Sequence, residues 1–286
     1  MDSLEGRCAV VTGAASGIGK ALAERFVDDG MKVVLADVEQ EPLAVVEKEL
    51  RERGGEVASV RADVSDVEQV QQIAAVAAEA FGNVHVLCNN AGVGAGGPMS
   101  ELKTDDWAWV LGVNLWGVVH GITTFLPGML AHGEPAHVVN TASVAGLLTT
   151  PMMGPYNASK FAVVAISETL HHEMRMANTN VNVSVLCPGW VNTKIHQSSR
   201  NRPADLGGGG DPSAEPLSLI SQIIESGMSP ADVAIAVRDA IRNERFWITT
   251  HPEMLAGVEA RMQSILSNTN PALNIGGLFG AGTGEA

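Results

Sequence analysis

Tyrosine is almost missing from this 286-residue chain, where it occurs once, at position 156. Cysteine is scarce too. Cys8, Cys88 and Cys187 stand far apart, each inside an apolar strand-like run, which excludes a disulfide framework and a clustered metal site. All three read as small core residues. Cations are outnumbered, 18 Lys and Arg against 32 Asp and Glu, for a net charge of -14. Nucleic acid and anionic lipid are themselves negative, so this balance argues against both as partners and favours a small-molecule substrate. No basic-then-apolar leader opens the chain, and no run reaches about 18 uninterrupted apolar residues, so the expectation is a cytoplasmic protein with no membrane partner. Metal binding is not expected, because no His, Cys, Asp or Glu cluster has ligand spacing. The adjacent His171 and His172 fall on different helical faces and are expected at the surface.

With 45% of residues hydrophobic and 17% charged, the chain suits one large domain over residues 1–286. Short β-branched runs at 8–11, 32–35, 56–61, 84–88, 137–141, 181–186 and 246–249 alternate with helical patterns at 20–29, 41–53, 67–81, 115–131 and 156–176. Strands that are apolar on both faces and joined by helices predict an α/β fold with a parallel sheet covered on both sides. Residues 193–228 break the pattern: they are polar and carry Gly207, Gly208, Gly209 and Gly210 between Pro203 and Pro212, as a substrate lid or a surface insertion would. Ser229-Pro230 then reads as a helix start. A C-terminal extension, 251–286, ends in a Gly- and Ala-rich tail.

Directly after the first strand comes Thr12-Gly13-Ala14-Ala15-Ser16-Gly17-Ile18-Gly19. Glycines at such a turn permit positive φ, let the backbone approach a pyrophosphate, and set that anion at the positive end of the following helix. Asp37 ends the second strand, where a carboxylate accepts hydrogen bonds from an adenosine ribose and repels a 2′-phosphate. No Arg or Lys in the turn, at Val38 or at Glu39 offsets it, so NAD is expected rather than NADP. A helix cap for the segment starting near Glu39 is the other reading of Asp37.

In this order the motifs resemble those of the short-chain dehydrogenase/reductase family over about residues 5–250. The signature comprises the turn at 12–19, Asn89-Asn90-Ala91-Gly92, Ser143 with Tyr156 and Lys160, and Pro188-Gly189. The resemblance implies a Rossmann-type, doubly wound, seven-stranded and mainly parallel sheet in a single domain. It also implies that Asp63-Val64 flanks the adenine, Asn90 steadies the central strand, Ile18 lines the cofactor groove, and Val191 and Thr193 touch the nicotinamide carboxamide. A narrower likeness lies in residues 112–118, the long lid and Thr250-His251-Pro252-Glu253. It is to a subgroup that includes lignin Cα-dehydrogenases and other oxidoreductases of bulky secondary alcohols.

Tyr156 and Lys160 project from one helix face, one turn apart. A free phenol has pKa near ~10, and Lys160 with the positive nicotinamide is expected to favour the phenolate for general acid/base work. Ser143 ends the fifth strand on the carboxyl edge, where its hydroxyl would hold the substrate oxygen beside Tyr156. Asn114 is an amide in an apolar helix-like segment. By the resemblance it anchors a water that relays protons to Lys160; a structural kink is the alternative. Hydride would pass between substrate carbon and nicotinamide, and the proton would leave through Tyr156, the ribose hydroxyl, Lys160 and that water.

Gly94, Ser143, Val144, Leu147, Met153, Trp190 and Ile195, with Leu217, Leu219 and Ile220 of the lid, are expected to form an apolar substrate pocket, core packing being the competing explanation. Residues 161–166 are apolar around nearly the whole helix, which predicts a homodimer or homotetramer through 156–176. Outside the enzyme class, a non-catalytic NAD-binding sensor of the same fold would keep the turn and Asp37; the intact Asn114, Ser143, Tyr156 and Lys160 argue against it.

Overall fold

The computed structural model describes residue 1, residues 3–208 and residues 219–272. Gly209, Gly210, Pro212 and Leu217 of the lid and the Gly- and Ala-rich tail fall outside the described residues, as do the side chains of Leu219 and Ile220.

Seven strands form one sheet: β1 (Cys8–Thr12), β2 (Lys32–Asp37), β3 (Val57–Arg61), β4 (Val84–Asn89), β5 (Ala136–Thr141), β6 (Val181–Cys187) and β7 (Trp247–Thr249). Their spatial order is β3-β2-β1-β4-β5-β6-β7, and every pairing is parallel. The alternation of side chains along each strand divides the core in two. Ala9, Val11, Val33, Leu35, Val86 and Cys88 face the helices α1 (Gly17–Asp28), α2 (Gln40–Glu52) and α8 (Pro230–Arg242). Cys8, Val10, Val34, Ala36 and Leu87 face α3 (Val67–Phe81), α5 (Gly117–His132) and α6 (Gly154–Met176) on the other side. The connection leaves β1 for β2 in one direction and restarts at β4 in the other, so the carboxyl ends of β1 and β4 open a crevice at the switch point.

Three helices lie beyond the sequence expectation. α4 (Thr104–Leu111) is joined to α5 through a π turn at Gly112–Trp116, giving one continuous helix, Thr104–His132. Its acidic first turn was the available signal, and the Lys103 amide donates to Asp106 Oδ2 at 2.7 Å. Among the described residues this helix alone is long and apolar enough to cross a membrane by length and composition. Its inward residues Trp109, Val110, Asn114, Val118 and Phe125 are buried in the protein. The second addition, α9 (Leu255–Leu266), follows β7 in the extension and puts Arg261 over the Phe161 ring at 4.9 Å. The third is the short helix α7 (Leu219–Glu225).

A buried polar chain fixes α6 against the sheet. Asn89 Nδ2 donates to Asn140 Oδ1 at 2.9 Å, and Asn140 Nδ2 donates to Ser167 Oγ at 3.0 Å. Ser229 caps α8 as expected, accepting from the Ala231 amide. The three cysteines are free and buried. His172 is exposed, but His171 is half-buried with its ring 4.8 Å from that of Phe246, because the chain after α8 returns along α6.

Candidate active site

The glycine turn closes on itself. Gly13 and Gly17 have φ of 69° and 54°, and a Cβ on Gly19 would stand 2.0 Å from the Gly13 carbonyl oxygen. Thr12 Oγ1 accepts from the amides of Asn90 (2.9 Å) and Ala91 (3.1 Å), while Asn90 Nδ2 donates to the Thr12 carbonyl at 2.9 Å. The Asn89–Gly92 segment therefore holds the turn against the end of β4. Ser16 is the N-cap residue of α1 but its side chain makes no capping bond, and the first turn carries no acid, so the positive end of α1 has no anion of its own. Ile18 packs beside the turn on the first core, and Thr193 lies across it, within 3.0 Å of where a Gly17 Cβ would be.

Asp37 is buried, with one oxygen accepting from the Ala15 amide and the other from the Glu39 amide, both at 2.9 Å. It ties the glycine turn to the loop after β2, and since Glu39 is the N-cap residue of α2, Asp37 is not that helix's cap. Burial, the larger influence, raises its pKa, and the two amide bonds oppose the rise. Asp63 and Val64 follow β3; Asp63 Oδ1 accepts from Ser65, and the Val64 carbonyl faces His120 Nδ1 at 2.9 Å. Glycines where a Cβ cannot fit, an uncapped helix N-terminus and an acceptor on the second strand form a cradle that fits a dinucleotide.

Across the crevice, Tyr156 and Lys160 stand on the first turns of α6. Tyr156 lies beside Ser143. Ser143 Oγ also accepts from the Ala145 amide at 3.1 Å and donates to the Pro188 carbonyl at 3.3 Å, which ties it to the end of β6. Lys160 is buried, donates to the Thr141 carbonyl at 2.9 Å and lies 5.6 Å from the Tyr156 ring centre. Burial raises the Tyr156 phenol above its ordinary value, and Ser143 pulls more weakly the other way.

Asn114 sits within the π turn and is fully buried. Its Oδ1 accepts from the Val93 amide at 2.8 Å, and its Nδ2 donates to the Val93 carbonyl at 2.9 Å and to Ser159 Oγ at 3.2 Å. The amide thus has structural work of its own, pinning the loop after β4 to the helix, with both protons engaged. A Cβ on Gly92 would meet Asn114 Oδ1 at 3.4 Å and Lys160 Nζ at 3.7 Å, so the two groups flank one point.

The expected pocket residues divide. Val144 packs with Leu148, Met254 and Trp190, and a Cβ on Gly94 would be 3.7 Å from Ile195. Met153 precedes α6 and approaches Gly96. Leu147, half-buried, instead packs against the core cluster that includes Val118, Ala142 and Val163, just after the tight turn at Val144–Gly146. Val191 is buried and bridges to Met228. Sequence reasoning missed His251, whose Nδ1 accepts from the Gly189 amide at 3.1 Å, and Met254 beside it. Their only signal was the Thr250–Glu253 segment itself.

Burial lowers the Lys160 pKa from 10.5 to about 8. Between those values the unfolded chain binds more protons than the folded one, so stability rises with pH there. Below the folded value both states are charged and the folded state carries the full desolvation cost, of order 3 kcal/mol; above the unfolded value the cost is gone. Denaturant midpoints of the wild type and Lys160→Met should therefore differ most near neutral pH, with the variant the more stable, and converge as pH rises from about 8 to 10.5. A gap independent of pH would contradict the buried charge.

Residues 7–204 match the family model described as short chain dehydrogenase. A dehydrogenase/reductase of CLA biosynthesis from Lactiplantibacillus plantarum is 33% identical over 96% of this chain and 98% of its own. A C alpha-dehydrogenase from a Sphingobium strain is 32% identical over 95% of this chain and 89% of its own. The crystal structure of a short-chain dehydrogenase/reductase from Burkholderia phymatum in complex with NAD superposes with a TM-score of 0.90 at 49% identity, covering 95% of this chain and 98% of that one. With the motifs, the sheet order and the Ser143–Tyr156–Lys160 geometry in agreement, this chain belongs to the short-chain dehydrogenase family.

Proposed function

We propose that the protein is an NAD-dependent oxidoreductase that interconverts a bulky, apolar secondary alcohol and its ketone, with Tyr156 as general acid/base. The observation that carries this reading is Lys160, buried one turn along α6 from Tyr156 and donating to the Thr141 carbonyl at 2.9 Å, with Ser143 beside Tyr156 at the edge of the crevice. NAD, when bound, supplies the hydride acceptor or donor. Gly13, Ser16, Gly17, Ile18, Gly19, Asp37, Asp63, Val64, Asn90, Ala91, Gly92, Pro188, Gly189, Val191 and Thr193, with Tyr156 and Lys160, are the residues assigned to hold it.

Ser143 orients the substrate oxygen toward the phenol, and Tyr156 takes or returns the hydroxyl proton. Lys160, positive at neutral pH, steadies the charge that develops on the Tyr156 oxygen. Asn114 Oδ1 keeps one lone pair in the direction of Gly92 and Lys160, which supports its place at the end of the proton path. Gly94, Val144, Met153, Trp190 and Ile195, extended by Met254, supply an apolar wall, and the C alpha-dehydrogenase relative supports a large substrate over an ethanol-sized one. Asp37 supports NAD over NADP, and the NAD complex of the Burkholderia relative agrees with that preference. The same reading has α6 meeting its copy in a homodimer or homotetramer in the cytoplasm; Ala165 on that helix is exposed.

The test is absorbance at the reduced-nicotinamide band with NAD, and separately NADP, against aryl, alicyclic and steroid-like secondary alcohols. Turnover with NAD on the bulky alcohols and weak turnover of ethanol-sized ones is expected. Equal use of NADP, or preference for the small alcohols, would count against the cofactor and pocket assignments respectively.

A further inference from the structure

Two arginines after β6 grip opposite flanks of the crevice. Arg200 Nε and Nη2 donate to the two carboxylate oxygens of Glu39 at 3.0 and 2.7 Å. Its Nη1 donates to the carbonyls of Lys194 (3.2 Å) and Gln197 (2.8 Å), so one guanidinium ends its own helical turn and reaches the loop after β2. Both side chains are largely buried, at 23% and 21% exposed. Two residues on, Arg202 Nη1 donates to Asp106 Oδ1 at 2.6 Å, and its guanidinium lies 5.4 Å from the Trp109 ring centre, on α4. Between them the buried Ser198 accepts from the Gly94 amide at 3.1 Å. Residues 194–206 thus run across the carboxyl edge of the sheet, tied on the Asp37 side, in the middle and on the α4 side.

We propose that the Glu39–Arg200 pair is the buckle of this strap and sets how fast a dinucleotide leaves the crevice, with both residues acting as positioning residues. The inference rests on the dinucleotide reading above. Exposed ion pairs contribute little, but this one is two-pronged, mostly buried and has four of its guanidinium N–H donors engaged, the arrangement in which an arginine fork holds geometry. Glu39 also shares its loop with Asp37, whose Oδ1 accepts the Glu39 amide at 2.9 Å. Thr193, immediately before the strap, rests on Gly17. Unbuckling therefore loosens the acceptor for the ribose and the cover over the glycine turn together. A sequence scan for a cation near Asp37 stops at Glu39; the fold supplies Arg200 from the far side of the chain.

The full-length protein tests this in two arms. Stopped-flow fluorescence follows NADH dissociation, and hydrogen exchange without dinucleotide follows the amides of residues 194–206. Glu39→Gln and Arg200→Gln should each speed NADH release about tenfold, as expected for loss of a charged hydrogen-bonded pair. The double variant should release no faster than either single one, since all three lose one shared interaction. Strap amides should exchange faster in each. Unchanged release and unchanged strap exchange in folded variants would overturn the buckle, as would effects that multiply in the double variant. Failure of the wild type to bind NADH would instead sink the dinucleotide reading, and with it the proposed role of the pair.

Discussion

Tyr156→Phe is expected to lower turnover by roughly 10²- to 10⁴-fold, the usual contribution of a positioned proton-transfer group. The substitution removes one oxygen and keeps the half-buried ring, so α6 and the Lys160 bond to the Thr141 carbonyl remain. Ser143 keeps its bonds to Ala145 and Pro188 and does not lose its place. Because Tyr156 is the only tyrosine in the chain, no neighbouring phenol substitutes for it. The direction of its pKa gives a second signature. A phenol raised by burial is the protonated acid over most of the accessible range, so ketone reduction should be favoured toward lower pH and alcohol oxidation should gain rate as pH rises. Initial rates in both directions across pH check this. Opposite slopes would remove Tyr156 from the role of proton carrier.

Gly19→Ala is expected to disable the cradle and cost stability. The added methyl would lie 2.0 Å from the Gly13 carbonyl oxygen and 2.7 Å from Asn90 Nδ2, and neither can swing aside. The first is backbone, and the second holds the Thr12 carbonyl. The turn and the start of α1 must separate, with an overpacking cost of about 2 kcal/mol or more, equivalent to a fall in Tm of roughly 4–8 °C at 2–4 °C per kcal/mol. NADH affinity should drop by about a hundredfold or more if the amides of the turn no longer converge. Gly128→Ala is the internal control: this exposed α5 glycine has open space around its Cβ direction, and the change should add stability by about 0.5–1 kcal/mol. Thermal scans and NADH titrations of both variants decide the matter. A Gly19→Ala protein with native Tm and affinity would show that the turn relaxes in a way the present packing does not suggest.

Much of this site was legible along the chain because its parts are local. The glycine turn, Asp37 at a strand end and the Tyr156–Lys160 spacing depend on a strand period of two and a helix period near 3.6, and those periods also predicted the parallel sheet. The resemblance of Asn89–Gly92 and Pro188-Gly189 then placed two loops that carry no periodic signal. What escaped was tertiary. Arg200 meets Glu39 across 161 positions, and His251 reaches Gly189 from beyond the last strand. Neither pair has a local pattern to reveal it. Leu147 could not be assigned to pocket or core because the tight turn at Val144–Gly146 decides which way it points. The upward pull of burial on the Tyr156 phenol was not legible either, because desolvation is a property of the packed fold. α4 was missed although its acidic start was present, since its apolar residues Trp109 and Val110 continue into the π turn with no break for a boundary.

The central claim, direct transfer of hydrogen from a secondary carbinol to the dinucleotide under control of Tyr156, is tested most directly by isotope. A bulky secondary alcohol deuterated at the carbinol carbon is incubated with NAD and enzyme, and the reduced dinucleotide is examined by mass spectrometry. The account predicts one deuterium retained in the reduced dinucleotide with the wild type and almost none formed with Tyr156→Phe. Dinucleotide bound but never labelled across a broad alcohol panel, or labelling that persists undiminished in Tyr156→Phe, would contradict it.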